Sequence, residues 1–365
     1  STRSVRYHYK LSNEDLGDIH NCLYSLFSQI HGQTNAISTL IGHINRKLYD
    51  PRASFLVHLA GDNGVGKTMS ASLLSIALSL FPHENYKYAG ECLLVIPGSE
   101  FANISHDNPK EIRAAEVTIR SKLIRHVERF SKCVVLFDEI TQLHPKLMRE
   151  LSPLFAALEH GDSIEGVKMS GVFCVLTSDF GSNGKTLGMT SVEVRTWVWK
   201  VIQETYEYTP ALRKANIIPF VSLSPEDFKE AIRYRLNALK CHHEDKKSLF
   251  GETRISIKEF VYNEAVLVEY LYCKILSGIP QRNGREIDRI FDDHVEGPLI
   301  MRLAEFEMNL SNGSSRITES LSRMLFGYKN INVSVSLRIV KALDSVESKL
   351  EHSLEVISEQ QSESV

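Results

Sequence analysis

Between Phe55 and Leu80 the chain runs from an apolar segment, Phe55-Leu56-Val57-His58-Leu59-Ala60, through Gly61-Asp62-Asn63-Gly64-Val65-Gly66-Lys67-Thr68, into an Ala/Ser/Leu-rich stretch with helical spacing. No other feature restricts the fold as strongly. The octapeptide fits G-x-x-x-x-G-K-[ST] at every fixed position. The order strand, glycine loop, helix is the one in which such a loop works. Glycines let successive backbone N–H groups curl around phosphate oxygens, and the helix N-terminus adds the positive end of its dipole. Lys67 is then placed for the β- and γ-phosphates of ATP and Thr68 for Mg²⁺.

Farther along, Cys133-Val134-Val135-Leu136-Phe137 is a continuous apolar run that ends in Asp138-Glu139. Such a run fits a strand covered on both faces. Two adjacent carboxylates at its end serve packing poorly. In a nucleotide site Asp138 orients Mg²⁺ and its waters, and Glu139 polarises the attacking water.

Alternation continues around these motifs. Helical spacing from Glu14 to Leu48 is interrupted at Ile30-His31-Gly32-Gln33, and further strands are expected at Cys92–Ile96 and Gly171–Leu176, with helices over Arg113–Phe130 and Leu143–Leu158. The pattern predicts an α/β fold, a parallel sheet flanked by helices with ligand at the strands' C-terminal edge. Beyond Phe220 strand signals stop. Pro225–Leu239, Ile257–Leu276 and Arg285–Phe306 predict a small all-helical domain. Leu343, Val346, Leu350, Leu354 and Ile357 form an amphipathic helical stripe near the end. The expected divisions are a flank at 1–25, a large nucleotide-binding domain at 26–221, a helical lid at 222–310, and a linker with amphipathic tail at 311–365.

The 365 residues carry a net charge of −3, so no basic field points to nucleic acid as a partner. No apolar run reaches the roughly eighteen residues of a membrane span, and no signal-peptide core opens the sequence. The six cysteines include no C-x-x-C pair. Cys133 and Cys174 fall in apolar strands as small hydrophobes. Cys241-His242-His243-Glu244 has ligand-type residues but no second cluster, and reads as a polar helix end. Gly184-Lys185-Thr186 imitates a second phosphate loop, yet Asp179 stands where a glycine is needed, which leaves a surface loop. Trp197 and Trp199 show no basic interleaving of the kind that builds a stacking platform.

A sheet domain with both motifs and a helical lid resembles the AAA+ ATPases, and over residues 26–308 the finer motifs resemble the Clp-type modules and the torsins. Ile30-His31-Gly32-Gln33 with Ala36 is similar to the box that opens those modules, which implies that Ile30 contacts the nucleotide. Leu136-Phe137-Asp138-Glu139-Ile140 followed by His144-Pro145 resembles their carboxylate strand, with Gln142 in place of the usual Lys. Gly161 to Gly166 is similar to the hairpin before sensor 1, where this sequence offers Ser178 or Asp179 instead of Asn. Arg213, ahead of Ile217-Ile218-Pro219-Phe220, stands at the arginine-finger spacing. Arg285, in Asn283-Gly284-Arg285-Glu286-Ile287-Asp288-Arg289, is similar to the sensor-2 arginine. The substrate-gripping aromatic loop of Clp disaggregases is not recognisable between Ile96 and Ile119. The resemblance implies ATP and Mg²⁺ as ligands and Gly61 to Thr68, Asp138, Glu139, Ser178 or Asp179, Arg213 and Arg285 as site residues. It also implies a homo- or hetero-oligomer, a ring or open spiral, that hydrolyses ATP and remodels a protein client or complex, with an activator protein as a further candidate partner. The rival reading is an ATP-gated scaffold with little turnover.

Overall fold

The computed structural model describes residues 13–79, 88–105, 108–179, 186, 188–206, 212, 215–244, 255–276, 284–313, 331–341 and 348–356. The chain divides into two compact units, Ser1–Leu223 and Ser224–Val365.

In the first unit α1 (Asn13–Phe27) and α2 (Thr34–Tyr49) precede β1 (Leu56–Gly61). The short connection from α2 to β1 is pinned by Lys47. Its buried ammonium donates to the carbonyls of Ala53 at 2.6 Å and Pro51 at 3.0 Å, and burial lowers its pKa to about 8. There follow α3 (Lys67–Ser79), β2 (Leu93–Pro97), α4 (Pro109–Arg129), β3 (Cys133–Asp138), α5 (Pro145–Glu150), α6 (Ser152–His160), a small hairpin of β4 (Ser163–Ile164) and β5 (Val167–Lys168), β6 (Val172–Ser178), α7 (Ser191–Thr205) and β7 (Asn216–Phe220). The predicted helix at 143–158 is two short ones. Pro153 sits in the first turn of the second, where a missing N–H costs nothing.

Five strands form one sheet in the order β2-β3-β6-β1-β7, and every pairing in it is parallel. All residues of β1 and β6 are buried, so their alternation is erased and both read as apolar runs. Cys133 in β3 and Cys174 in β6 are fully buried. Pro219 is tolerated because β7 is an edge strand, where one side of the backbone owes the ladder no N–H. The chain reaches β1 first, crosses to the far edge at β2, steps back through β3 and β6, and places β7 on β1's other side. Strand order therefore reverses around β1, and the crevice outside its carboxyl end is where ligands bind in such sheets.

The second unit contains α8 (Pro225–Glu244), β8 (Ile255–Tyr262), α9 (Glu264–Leu276), α10 (Gly284–Phe291), a π-helical stretch over Asp292–Glu296, α11 (Gly297–Gly313), β9 (Ile331–Lys341) and β10 (Ser348–Val356). Helices stand where helices are expected, but the unit is not all-helical: β8, β9 and β10 form a three-stranded sheet, with β9 parallel to β8 and antiparallel to β10. The expected helix at 257–276 starts late, because Asn263 caps α9 by accepting from Val266 N–H at 3.2 Å and frees the residues before it for a strand. Leu350 and Leu354 of the expected helical stripe lie instead on β10. Residues four apart share a face in a strand as well as in a helix, and the decisive residue is His352 between them, buried like Leu350 and in contact with Val295 O at 3.2 Å. Leu343, Val346 and Ile357 lie outside the described residues.

Candidate nucleotide site

β1 delivers its last residue, Gly61, directly against β7. A Cβ at Gly61 would lie 1.9 Å from the Phe220 carbonyl oxygen, so only glycine allows this approach. The loop then turns through Gly64 and Gly66 with φ of 74° and 100°, a region that costs other residues strain. A Cβ at Gly66 would stand 2.7 Å from Ile30 Cγ2, which places Ile30 against the loop. Gln33, from the same segment, is buried and makes two bonds to Val221: its Nε2 donates to the carbonyl at 2.7 Å and its Oε1 accepts from the N–H at 3.0 Å. α3 begins at Lys67 with no acidic side chain in its own first turn, so the helix itself does not offset its positive end. Lys67 is buried, and its ammonium donates to Gly61 O at 2.8 Å and to Asp62 O.

The carboxylate pair ends β3 beside the start of α3. Thr68 Oγ1 donates to Asp138 Oδ1 at 2.9 Å, and Thr177 Oγ1 donates to the same oxygen at 2.6 Å. Thr177 Oγ1 also accepts from the Glu139 N–H at 2.9 Å. One buried hydroxyl thus holds both members of the pair. Glu139 is in the left-handed region, with φ 56° and ψ 57°, a conformation that costs about 1–3 kcal/mol in a non-glycine residue. Gln142 Nε2 donates to Glu139 Oε2. Gly98, leaving β2, packs so closely that a Cβ there would lie 2.3 Å from Glu139 O. From behind, the buried Tyr206 hydroxyl donates to Ile140 O at 3.1 Å, and burial raises its pKa to about 12.

The two candidates at the end of β6 part company. Ser178 is fully buried, and its Oγ meets His58 Nε2 of β1 at 2.6 Å. That places it in the sheet interior, which corrects the expectation that it faces a phosphate. His58 has its pKa lowered to about 3, first by burial and then by the Lys67 charge, so it is a neutral core residue. Asp179 reaches the loop itself: its Oδ2 accepts from Asn63 Nδ2 at 2.6 Å.

Asp62 is 3 % exposed, and its two carboxylate oxygens are taken by hydroxyls from distant loops. Oδ1 accepts from Thr186 and Oδ2 from Ser222. Thr186 is 2 % exposed, so the expected surface loop at Gly184-Lys185-Thr186 is wrong at this residue; its neighbours Gly184 and Lys185 lie outside the described residues.

Arg213 lies outside the described residues. Arg285 is exposed, in the first turn of α10 in the second unit. Its neighbour Glu286 is buried and bonded to Arg289 Nε at 2.9 Å. Among the described residues no group of His, Cys, Asp and Glu is arranged to hold a metal by itself. Cys241 to Glu244 end α8, with side chains outside the described ones. Sequence reasoning missed Thr177, Gly98, the bond of Gln142 to Glu139 and the partners of Asp62. It also missed α7, although Thr190-x-x-Glu193, a capping box in the structure, was there to signal it.

The loop turns through two left-handed glycines into the N-terminus of a helix with no acidic side chain in its own first turn, and a hydroxyl and a carboxylate stand together beside it as hard oxygen donors. That donor chemistry fits a nucleoside triphosphate with Mg²⁺. A G-x-x-x-x-G-K-T loop at the reversal point of a five-stranded parallel sheet, followed by a second unit rich in helices, is the architecture of an AAA+ module.

Among AAA+ modules the chain is similar in sequence to those of the Clp branch. It is 29% identical over 233 residues to the chaperone protein ClpB of Meiothermus ruber, covering 59% of this chain and 26% of that one. It is 25% identical over 300 residues to a probable ATP-dependent Clp protease ATP-binding subunit of Chlamydia pneumoniae, covering 75% and 32%. To ClpB 1 of Synechococcus elongatus it is 27% identical over 253 residues, covering 65% and 28%. The chain thus spans about a quarter to a third of the length of these relatives. In fold it is similar to Hsp104 in a closed state with ATPγS and FITC-casein, with a TM-score of 0.61 at 16% identity over 94% of this chain and 53% of that one. No family model matches the chain. The torsin likeness rests on the motifs alone.

Proposed function

We propose that the protein binds ATP with Mg²⁺, hydrolyses it to ADP and phosphate, assembles into an oligomer and uses turnover to remodel a protein partner. The observation that carries this is the continuous chain Thr68–Asp138–Thr177–Glu139, in which the Thr68 hydroxyl ties the P-loop to the Asp138 carboxylate and the buried Thr177 hydroxyl ties that carboxylate to the Glu139 backbone. Phosphoryl transfer asks for positioning and charge stabilisation, and these residues supply both. Backbone N–H groups from Gly61 to Thr68 and the Lys67 ammonium bind the phosphates, while Ile30 supports the nucleotide against the loop. Thr68 and Asp138 would hold Mg²⁺, which would supply charge neutralisation at the phosphates. Glu139 orients the attacking water and accepts its proton. Arg285 reads the γ-phosphate for the lid of the same chain, and Arg213 reaches the nucleotide of a neighbouring subunit, so that hydrolysis depends on assembly. The functional divisions are the large domain at 26–221 and the lid at 222–310, to whose sheet the strands at 331–341 and 348–356 are added.

The low-turnover scaffold is the second reading, and two observations favour it: Asp179 puts a carboxylate on Asn63 at the loop, and Gln142 engages the oxygen with which Glu139 would take a proton. Net charge and the absence of a basic field argue against nucleic acid for either reading. No described helix is long and apolar enough to cross a membrane. ATPase activity measured over a protein-concentration series, with mass determined in the same ATP buffer, separates the two. Activity that rises with concentration and vanishes in Glu139→Gln, while Glu139→Gln retains ATP and stays assembled, supports the hydrolase. ATP-dependent assembly with no turnover in either protein supports the scaffold or a required activator.

A further inference from the structure

A carboxylate inside an anion-binding loop works against the loop's purpose, since it repels the phosphates that the backbone N–H groups attract. Asp62 nevertheless sits there, almost completely buried, and burial of a charged carboxylate persists only where hydrogen bonds replace its water. Each oxygen has such a bond, and the donors come from different strands' exits: Thr186 follows β6, and Ser222 follows β7. The same residue's carbonyl accepts from Lys67. Asp62 therefore joins, in one residue, the lysine of the loop and the two segments that leave the sheet on either side of β1. Ser222 stands beside the boundary at Leu223, where the first unit ends. Its neighbour Val221 is held by Gln33 through both its N–H and its carbonyl.

We propose that Asp62 is a positioning residue whose carboxylate, gripped by Thr186 and Ser222, couples the state of the phosphate loop to the segment Val221–Leu223 through which the chain passes into the second unit. This rests on the nucleotide-binding reading of the loop. Displacement of Lys67 from the Asp62 carbonyl shifts the residue that holds Ser222, and the shift is delivered to a stretch of backbone otherwise fixed by Gln33. The clamp is a switch element because its hydroxyl donors can part from Asp62 without breaking the sheet ladder, whose pairing with β7 ends at Phe220.

The test uses the full chain and reads the Val221 amide, whose N–H is donated to Gln33, by hydrogen exchange with and without Mg-ATP. Wild type is expected to change its Val221 exchange rate about tenfold on ATP binding. Ser222→Ala and Thr186→Val are expected to bind ATP within about threefold of wild type and to lose most of that change. They are also expected to lower kcat with little effect on KM. Asp62→Asn, which keeps two hydrogen-bonding atoms, should retain more of the response than Asp62→Ala. A wild-type exchange response in Ser222→Ala overturns the proposal. Melting without nucleotide provides the independent arm: shifts of Asp62→Ala and Ser222→Ala that are less than additive support the clamp, and additive shifts overturn it. If wild type and Lys67→Ala alike fail to bind ATP, the nucleotide reading falls and the coupling falls with it, whereas the clamp itself is still decided by the melting cycle.

Discussion

Thr177→Val is the substitution that most directly tests how the site is held. Valine has nearly the shape of threonine, so the change removes a hydroxyl and little else. Two bonds go: the 2.6 Å donation to Asp138 Oδ1 and the 2.9 Å acceptance from Glu139 N–H. A hydrogen bond to a charged group contributes about 1.5–3 kcal/mol, and an orphaned buried N–H costs about 1–3 kcal/mol. Against this stands about 0.8 kcal/mol from the added buried methyl. The net expectation is a loss of about 2–5 kcal/mol, or about 4–20 °C in melting temperature for a unit of this size. Both tryptophans of the chain, Trp197 and Trp199, lie on α7 in the first unit, so their fluorescence reports this unit even if the two units melt separately. A misplacement of Asp138 and Glu139 should also lower kcat about 10- to 100-fold, and Thr177→Ser should restore most of both losses. A Thr177→Val protein that melts within about 1 °C of wild type and turns over ATP at the wild-type rate would refute the reasoning.

Lys67→Ala should abolish ATP binding measured by calorimetry; unchanged affinity would mean that the assigned loop is wrong. Gly66→Ala meets both a left-handed φ of 100° and Ile30 Cγ2 at 2.7 Å, so it should weaken nucleotide binding at least tenfold, about 1.4 kcal/mol, and Ile30→Ala in the same chain should recover only the steric part. His58 has a folded pKa of about 3, below its ordinary value. Between the two values the unfolded chain binds a proton that the folded chain does not, so stability is lost as pH falls from about 6.5 toward 3, at up to about 1.4 kcal/mol per pH unit. Urea midpoints followed by tryptophan fluorescence at pH 7.5 and 5 should fall less in His58→Gln than in wild type, by about 2 kcal/mol; equal falls would show that His58 does not titrate this way.

The parts of the site legible in the sequence are those where chemistry is local. A glycine loop between an apolar run and a helical run can be recognised because strand, turn and helix each leave a pattern in adjacent residues, and Asp138-Glu139 ends its strand in plain view. Partners across the sheet leave no such pattern. Thr177 reads as an ordinary strand residue until β6 is placed next to β3, and Ser178, its neighbour, points to the opposite face by the two-residue period of a strand. Asp62 reads as a solvated loop residue, because its partners Thr186 and Ser222 are 124 and 160 residues away. The second sheet was hidden for a different reason. In β10 the leucines four apart satisfy both periods, and β8 borders a true helix whose start only the Asn263 cap marks.

The placement of β1 between β6 and β7 also governs when the site can exist. As the chain is made from its N-terminus, β1 and the P-loop emerge early but have no sheet to join, since His58 meets Ser178 across 120 residues and Asp62 meets Ser222 across 160. Contacts this distant along the chain close slowly, and an apolar strand without neighbours is exposed while it waits. A nascent chain that stops short of Ser222 therefore has a phosphate loop in sequence but not in shape, so ATP added during synthesis should stabilise only chains that have passed that residue.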